Sequence, residues 1–259
     1  MRKRDMILLV AGLAAAPSAA RAGLITGRFT EVGVVSLGTD IDTLMDADAL
    51  LAGTIAGTAP KTAVIRLVNL EDPDNPGHGA HFRHKMPFVI DQPGDDQNFA
   101  IRITGAVRIP AAGQYTFGVN SDDGFRLTVG DNTSEHVEQR PPKDTLAVFS
   151  FAQPGDYPLA LTYFEHKNHA ELELFATPGA ASSFRDPGAD FQLVGDVPHG
   201  GLELAPGGAQ SARPVVGSGV PEAGPAWAAL VVAPLLMRRA RRARTHNPLS
   251  QHRQDGSAT

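Results

Sequence analysis

The stretch from Phe99 to Gly130 constrains the fold most strongly, because its apolar residues recur at every second position. The alternation runs up to Pro110, restarts after a short glycine turn, and repeats once more from Phe125. A period of two is typical of half-buried β-strands. The stretch therefore predicts three consecutive antiparallel strands, the last two joined by a turn that carries two adjacent carboxylates, Asp122 and Asp123.

Two stretches carry motifs of a known family. The first has a glycine turn, a Tyr-Thr-Phe strand, the sequence SDDG and an apolar strand ending near a glycine. The second, Gly155–Gly179, has a strand ending in a tyrosine, a polar loop and another strand, as in a closing hairpin. Together they resemble the protective-antigen-type domain, a β-barrel module named after a toxin component. The resemblance covers residues 23–195 and implies an all-β fold, an antiparallel β-sandwich or barrel with one short N-terminal helix.

The paired aspartates are the candidate site that this resemblance implies. Members of the family are secreted modules that often bind carbohydrate, in fungal adhesins through calcium held at aspartates joined by a cis peptide. The resemblance therefore implies that Asp122 and Asp123 bind calcium and carbohydrate. The adhesins add an asparagine from the loop before their last strands, and here that loop offers Glu165 or Asn168. A hard cation takes several oxygen ligands, which adjacent aspartates and nearby carbonyls supply in part.

Two interpretations of function stay open. The first is a calcium-assisted carbohydrate-binding module at the cell surface or in exopolysaccharide. The second is a structural matrix protein whose barrel binds no small ligand, with the aspartates forming only a favourable turn. Few aromatic residues occur in the candidate loops, which favours the second, because sugar sites commonly offer a ring for stacking.

No enzymatic activity is predicted. Carboxylates on neighbouring residues of one turn lie too close together for the ~5–9 Å separation that glycosidases use. The sequence also has no cysteine and no nucleophile-elbow motif.

Both ends of the chain are predicted to be targeting segments. Three basic residues, an apolar run and Ala20-Arg21-Ala22 predict a secretory signal over residues 1–22, with export of the rest. Residues 220–244 combine Val-Pro-Glu, 12 apolar residues and five arginines, and they resemble the PEP-CTERM sorting signal that an exosortase recognises and cuts. The apolar run is shorter than the ~20 residues of an unaided transmembrane helix, so transient membrane insertion is expected. A plain membrane anchor remains the alternative, and residues 245–259 form a polar tail.

The charge of the exported part bears on its partners. Residues 23–219 contain 13 basic and 25 acidic residues, a formal charge near −12, and no cysteine. This charge argues against nucleic acid as a partner and is compatible with cation binding. A core of this size folds without disulfides.

Other segments carry weaker patterns. Residues 40–53 predict a capped helix of about three turns, and the doubly apolar run Thr62–Leu70 predicts a central buried strand. Glu171 and Glu173 alternate with leucines and are expected on the outer face of their strand. Residues 196–219 are rich in Gly, Pro and Ala and predict a flexible linker.

Three histidines at three-residue spacing stand in the long connection from residue 71 to 96. His78, His81 and His84 would align on a helical turn and could then bind a transition metal. The glycines and prolines around them favour an irregular loop instead. Surface histidines are therefore the preferred interpretation.

Overall fold

The computed structural model describes residues 27–76, 79–94 and 96–206. The predicted signal, the sorting segment and the polar tail lie outside these residues. In chain order the elements are β1 (Phe29–Val35), α1 (Leu44–Leu51), β2 (Lys61–Ile65), β3 (Asn69–Glu71), β4 (Phe99–Ile109), β5 (Gly113–Asp122), β6 (Phe125–Val129), β7 (Asn132–His136), β8 (Lys143–Phe151), β9 (Gly155–Glu165), β10 (Glu171–Pro178) and β11 (Gln192–Leu193), followed by a short 3₁₀ helix at Val197–His199.

The strands form two antiparallel sheets, which confirms the predicted all-β sandwich. Sheet 1 has the order β2-β1-β4-β9-β6-β7, and sheet 2 has the order β11-β10-β5-β8, with β3 paired to β10. The three strands predicted to pair with one another lie in different sheets: β4 and β6 belong to sheet 1 and β5 to sheet 2. The predicted pairing of these three strands is therefore wrong, and so is the closing hairpin, because β9 and β10 also lie in different sheets.

The core lies between the sheets and follows the alternation seen in the sequence. Phe117 and Val119 of β5 face Ile101 and Ile103 of β4, Leu161 of β9 lies beside them, and all are at most 1 % exposed. Burial of such side chains stabilises a fold by roughly 1.5–3 kcal/mol each. This buried layer fixes the strand ends, and hence the turns that carry the candidate site.

Helix α1 is shorter than predicted, with eight residues, or about two turns. Thr43 caps its N-terminus: the hydroxyl accepts the Asp46 N–H at 3.3 Å, and the Asp46 carboxylate accepts the Thr43 N–H at 3.0 Å. This is a reciprocal capping box. Leu44 and Leu50 are buried in a small second cluster that includes Phe164, so the helix covers the end of the sandwich where β9 finishes.

The apolar run Thr62–Leu70 is two short strands and not one central strand. β2 is the edge of sheet 1, and Val64 on it is 63 % exposed. Val68 and Leu70, by contrast, are fully buried. The run is apolar on both faces because its first half, β2, belongs to sheet 1 and its second half, β3, pairs with sheet 2.

The long connection between β3 and β4 covers the outer face of sheet 2. Lys85 lies 3.2 Å from Glu171 and 3.5 Å from Glu173, and Glu173 also accepts the backbone N–H groups of His81 and Phe82. Glu171 and Glu173 point away from the core as predicted, yet both are 0 % exposed. Buried carboxylates require such partners, which explains why this irregular segment is held in place.

The fold continues past the predicted boundary at residue 195. Leu202, Leu204 and Ala205 are buried, and Ala205 N donates to Ala106 O at 2.8 Å. The predicted linker therefore does not begin at residue 196, because this segment still contributes apolar side chains to the core; residues 207–219 lie outside the described part. Within the described ranges, no helix has the length and apolar character to span a membrane.

Candidate functional site

The turn between β5 and β6 holds the two predicted aspartates. The Asp122–Asp123 peptide bond is cis, and the Ser121 hydroxyl donates to the Asp123 carbonyl at 2.6 Å. The side chains are only partly accessible, with Asp122 8 % and Asp123 5 % exposed. Both carboxylates are therefore fixed in a largely buried turn and not displayed on a loop tip.

Strand pairing brings a third carboxylate to this turn. β6 pairs with β9 so that Phe125 lies opposite Tyr163, and Phe164 N donates to Gly124 O at 3.1 Å. Glu165, at the end of β9, therefore lies beside the aspartates. One carboxylate oxygen from each of Asp122, Asp123 and Glu165 lies within 4.8 Å of the others. Among the described residues, this carboxylate trio is the only group of three or more His, Cys, Asp or Glu side chains with that spacing.

The two aspartates have different surroundings. Asp123 accepts the backbone N–H of Arg140 at 2.8 Å on one oxygen and that of His166 at 2.9 Å on the other. Burial raises the pKa of Asp123, and these two hydrogen bonds lower it. No described residue donates a hydrogen bond to the Asp122 carboxylate; burial, then Asp123, then Glu171 raise its pKa to about 8. The backbone N–H groups of Arg140 and His166 therefore bind Asp123 and not Asp122.

Glu165 is the most deeply buried member of the trio, at 0 % exposed. Its Oε2 lies 3.2 Å from the Tyr163 hydroxyl, and its Oε1 has no hydrogen-bond partner among the described residues. Burial, followed by repulsion from Asp123 and Asp122, raises the pKa of Glu165 to about 11. Three buried carboxylates with an unpartnered oxygen form a donor set that suits a hard cation, since a cation offsets both the repulsion and the burial cost.

Arg140 holds the turn in place through hydrogen bonds. Its guanidinium donates to Ser121 O at 3.2 Å, to Ser121 Oγ at 2.8 Å and to Thr145 Oγ1 at 2.7 Å, and it lies over the Phe125 ring. Burial lowers the pKa of Arg140, and Asp144, Asp122 and Asp123 oppose that effect. Arg140 therefore fixes the residue before the aspartates with its side chain and Asp123 with its backbone.

An open cavity of about 770 Å³ lies over the aspartates. Asp122 and Asp123 form part of its lining, and the loops 139–142 and 166–169 form its walls. Asn168, the alternative to Glu165 in the sequence prediction, lies on this wall with an exposed side chain. The structure thus places both candidates near the aspartates, with Glu165 in the carboxylate trio and Asn168 on the wall.

Contacts with the loop before α1 hold one wall of the cavity in place. Asp42 lies 2.5 Å from the His166 ring and accepts a hydrogen bond from the Gln139 amide at 2.7 Å. Lys167 lies 3.5 Å from Asp40. No local sequence motif marks Asp42, Arg140 or Tyr163 as site residues, because their partners are distant in the chain.

The histidine-rich segment does not form a metal site among the described residues. The His81 ring bonds to Asp144 at 2.8 Å and stacks on Phe184 with ring centroids 3.7 Å apart. His81 therefore helps the β3–β4 connection pack on sheet 2. His78 lies outside the described residues.

Residues 88–180 match the PA14 domain. This match spans β4 to β10 and includes the carboxylate trio, so it confirms the predicted protective-antigen-type resemblance over that region. No curated protein matches the sequence.

Three solved structures illustrate the similarity. The PA14 sugar-binding domain from an RTX adhesin is 18% identical, with 70% of this chain and 99% of that chain covered and a TM-score of 0.49. The PA14 domain of the antifreeze protein MpAFP is 19% identical, covering 61% and 84%, with a TM-score of 0.45. The epithelial adhesin 9 A domain from Candida glabrata, in complex with Galb1-4GlcNAc, is 12% identical, covering 67% and 92%, with a TM-score of 0.41.

Proposed function

We propose that this protein binds calcium at Asp122, Asp123 and Glu165 and uses the ion to hold a carbohydrate in the cavity above. The observation that carries the proposal is the compact, buried carboxylate trio beneath an open cavity. The protein acts by binding and not by catalysis. The sugar-binding adhesin domain among the similar folds agrees with this proposal.

The chemistry of the donor set favours calcium. All three side chains offer oxygen, and calcium takes about six to eight oxygen ligands with flexible geometry. Three carboxylates supply only part of such a shell, so carbonyl groups and vicinal sugar hydroxyls would supply the rest. An open cavity at the aspartates gives a saccharide access to those positions. Because the cavity lining has no Phe, Tyr or Trp among the described residues, the ion and polar groups, and not ring stacking, account for affinity.

Calorimetry and thermal unfolding of the full chain with added CaCl₂ test the proposal. A ligand that binds only the folded state stabilises it by RT ln(1 + [L]/Kd), about 2.7 kcal/mol at a hundredfold excess over Kd. Replacing Asp122 and Asp123 together by Asn keeps the side-chain shape and removes both charges, so the calcium-dependent shift should vanish. The matched control replaces two exposed aspartates, Asp131 and Asp190, by Asn and should keep the shift.

A glycan array probed with and without a chelator then tests the carbohydrate. Binding that needs both calcium and the aspartate pair supports the proposal. No heat and no melting shift at millimolar calcium would leave the aspartates as a turn only. The structural matrix protein would then be the better account.

The proposal places this module outside the cell, on the surface or in exopolysaccharide. Its support is the predicted secretory signal at residues 1–22 and the PEP-CTERM-like segment at residues 220–244. Mass spectrometry of secreted protein should find Gly23 at the N-terminus. Truncation after Gly219 should release the protein into the medium without lowering its melting temperature, and retention of the truncated protein in the membrane would contradict an exosortase-type sorting role.

A further inference from the structure

The loop between β7 and β8 lines two cavities. Gln139, Arg140 and Pro141 face the cavity over the aspartates, while Val137 and Glu138 face a second cavity of about 370 Å³. The β7–β8 loop therefore separates the two cavities.

The second cavity has an apolar wall that is open to solvent. Met45, on the first turn of α1, is 78 % exposed and is the most exposed large apolar side chain of the described residues. Val137 is 45 % exposed on the loop beside it. Exposed apolar side chains that line a common cavity differ from scattered ones, because a ligand can cover them together.

Polar side chains also line this second cavity. Asp48 Oδ2 accepts a hydrogen bond from Arg126 Nη1 at 2.8 Å, and Arg126 Nε donates to Glu135 at 2.8 Å. Asp48 and Arg126 both line the cavity and are partly exposed. Hydroxyl groups of a ligand can therefore find donors and acceptors next to the apolar wall, the combination that a sugar residue with an apolar substituent requires.

The two cavities lie close enough for one oligosaccharide. Leu44 N donates to Val137 O at 3.1 Å, and the Gln139 amide donates to Asp42 at 2.7 Å. These contacts join the segment that starts α1 to the loop that lines both cavities. Val137 and Gln139 are two residues apart, at most about 7 Å even in extended chain, which is comparable with the step between linked sugar residues.

We propose that the second cavity is a subsite for the neighbouring residue of the glycan, one that carries a methyl group. This inference rests on the proposed calcium-assisted carbohydrate binding. The shared ligand chemistry is a methyl beside hydroxyl groups, as in a 6-deoxy sugar or an N-acetyl sugar. Met45 and Val137 cover the methyl, and the Asp48–Arg126 pair meets the polar groups.

Matched disaccharides test the subsite on the full chain in saturating calcium. Each pair shares the first sugar, and the second is galactose against 6-deoxygalactose, or glucose against N-acetylglucosamine. The methyl-bearing member of at least one pair should bind about fourfold tighter, the gain expected for one buried carbon. The pair that shows this difference in affinity tells whether the methyl belongs to a 6-deoxy sugar or to an N-acetyl sugar.

Variants assign the preference to this cavity. Met45→Ser and Val137→Ser should abolish it while leaving the affinity for a free monosaccharide unchanged. Val64→Ser, which alters an exposed valine on edge strand β2 away from this cavity, is the matched control and should keep the preference. Because Met45 and Val137 are exposed, their variants should fold, and thermal unfolding checks this.

The outcomes separate the two proposals. If the monosaccharides bind with calcium and both members of every pair bind equally, the subsite inference is overturned and the carbohydrate site stands. The inference is also overturned if the preference survives in both serine variants. If no saccharide binds with calcium, both proposals fail together.

Discussion

The Tyr163 hydroxyl donates a hydrogen bond to the backbone carbonyl of Asp122. Tyr163 belongs to β9 in sheet 1, and Asp122 ends β5 in sheet 2, so this bond joins the two sheets at the carboxylate trio. The Tyr163 ring stacks on Phe88 with centroids 5.5 Å apart and is fully buried. Tyr163 therefore connects the packing of the core with the geometry of the candidate cation site.

Replacing Tyr163 by Phe should weaken calcium binding and lower stability. The change keeps the ring but leaves the Asp122 carbonyl and Glu165 Oε2 without the hydroxyl, at a cost of about 1–3 kcal/mol for the unpaired buried groups. Titration calorimetry with calcium and denaturant unfolding measure the two effects. Tyr115→Phe is the matched control, because the Tyr115 hydroxyl donates to Ala111 O at 3.0 Å at the opposite end of β5 from Asp122. It should lower stability and leave calcium affinity unchanged; equal calcium affinities in both variants would contradict the prediction.

Glu165 and not Asn168 should supply the third side-chain ligand. Glu165→Gln removes one charge from the trio and should weaken calcium binding by at least tenfold, about 1.4 kcal/mol. The same change should raise the stability of the calcium-free protein, because it removes a buried carboxyl that faces two others. Asn168→Ala should leave the calcium-induced melting shift intact and affect only saccharide affinity, since Asn168 lies on the cavity wall. The reverse pattern would assign the ligand role to Asn168.

Much of the strand content could be predicted from the sequence, and the sheet assignment could not. The alternation around Phe99 and Phe117 predicts strands because every second residue enters the core. In a sandwich, however, a strand of either sheet shows the same alternation toward the shared core. The local sequence around Tyr115–Gly118 therefore does not predict the partners of β5. In the structure β5 pairs with β8 and β10 and not with β4.

The candidate site was predictable only where it is local. Asp122 and Asp123 are adjacent and stand in a turn motif, so the sequence alone predicts them. Arg140 and Tyr163 contact them across 17 and 41 residues, distances at which no spacing rule applies. Glu165 stayed one of two candidates because the sequence gives no measure of its burial.

Gly124 should be required at the SDDG turn because of its neighbours. A Cβ at this position would lie 2.5 Å from the Phe164 ring, 2.7 Å from His136 O and 2.9 Å from Glu138 O. Gly124→Ala should therefore displace the segment that reaches Arg140, whose N–H binds Asp123, and cost about 1–3 kcal/mol by overpacking. Calcium affinity should fall as well.

Gly179→Ala is the control for the Gly124 variant. Gly179 has φ +86 but no atom within 4 Å of the added Cβ, so the change strains the backbone without displacing a neighbour. It should lower the unfolding free energy and leave the calcium titration unchanged. A Gly124 variant that binds calcium like the unmodified protein would show that the turn tolerates the contact.

Glu31 should make the stability of the sandwich depend on pH. It is 1 % exposed, accepts Val89 N–H at 2.9 Å, and burial raises its pKa to about 7 from 4.5. Because the folded state holds the proton more tightly than the unfolded chain, this stabilisation is complete below pH 4.5 and is lost as the pH rises toward 7. Glu31→Gln keeps an acceptor for Val89 and cannot ionise, so its unfolding free energy relative to the unmodified protein should rise by roughly 3 kcal/mol over that interval. Denaturant unfolding in a chelator at pH 4.5 to 8 measures the difference, with exposed Glu138→Gln as the control. If the unfolding free energies of Glu31→Gln and the unmodified protein change with pH in parallel, ionisation of Glu31 does not destabilise the folded state, and the prediction is wrong.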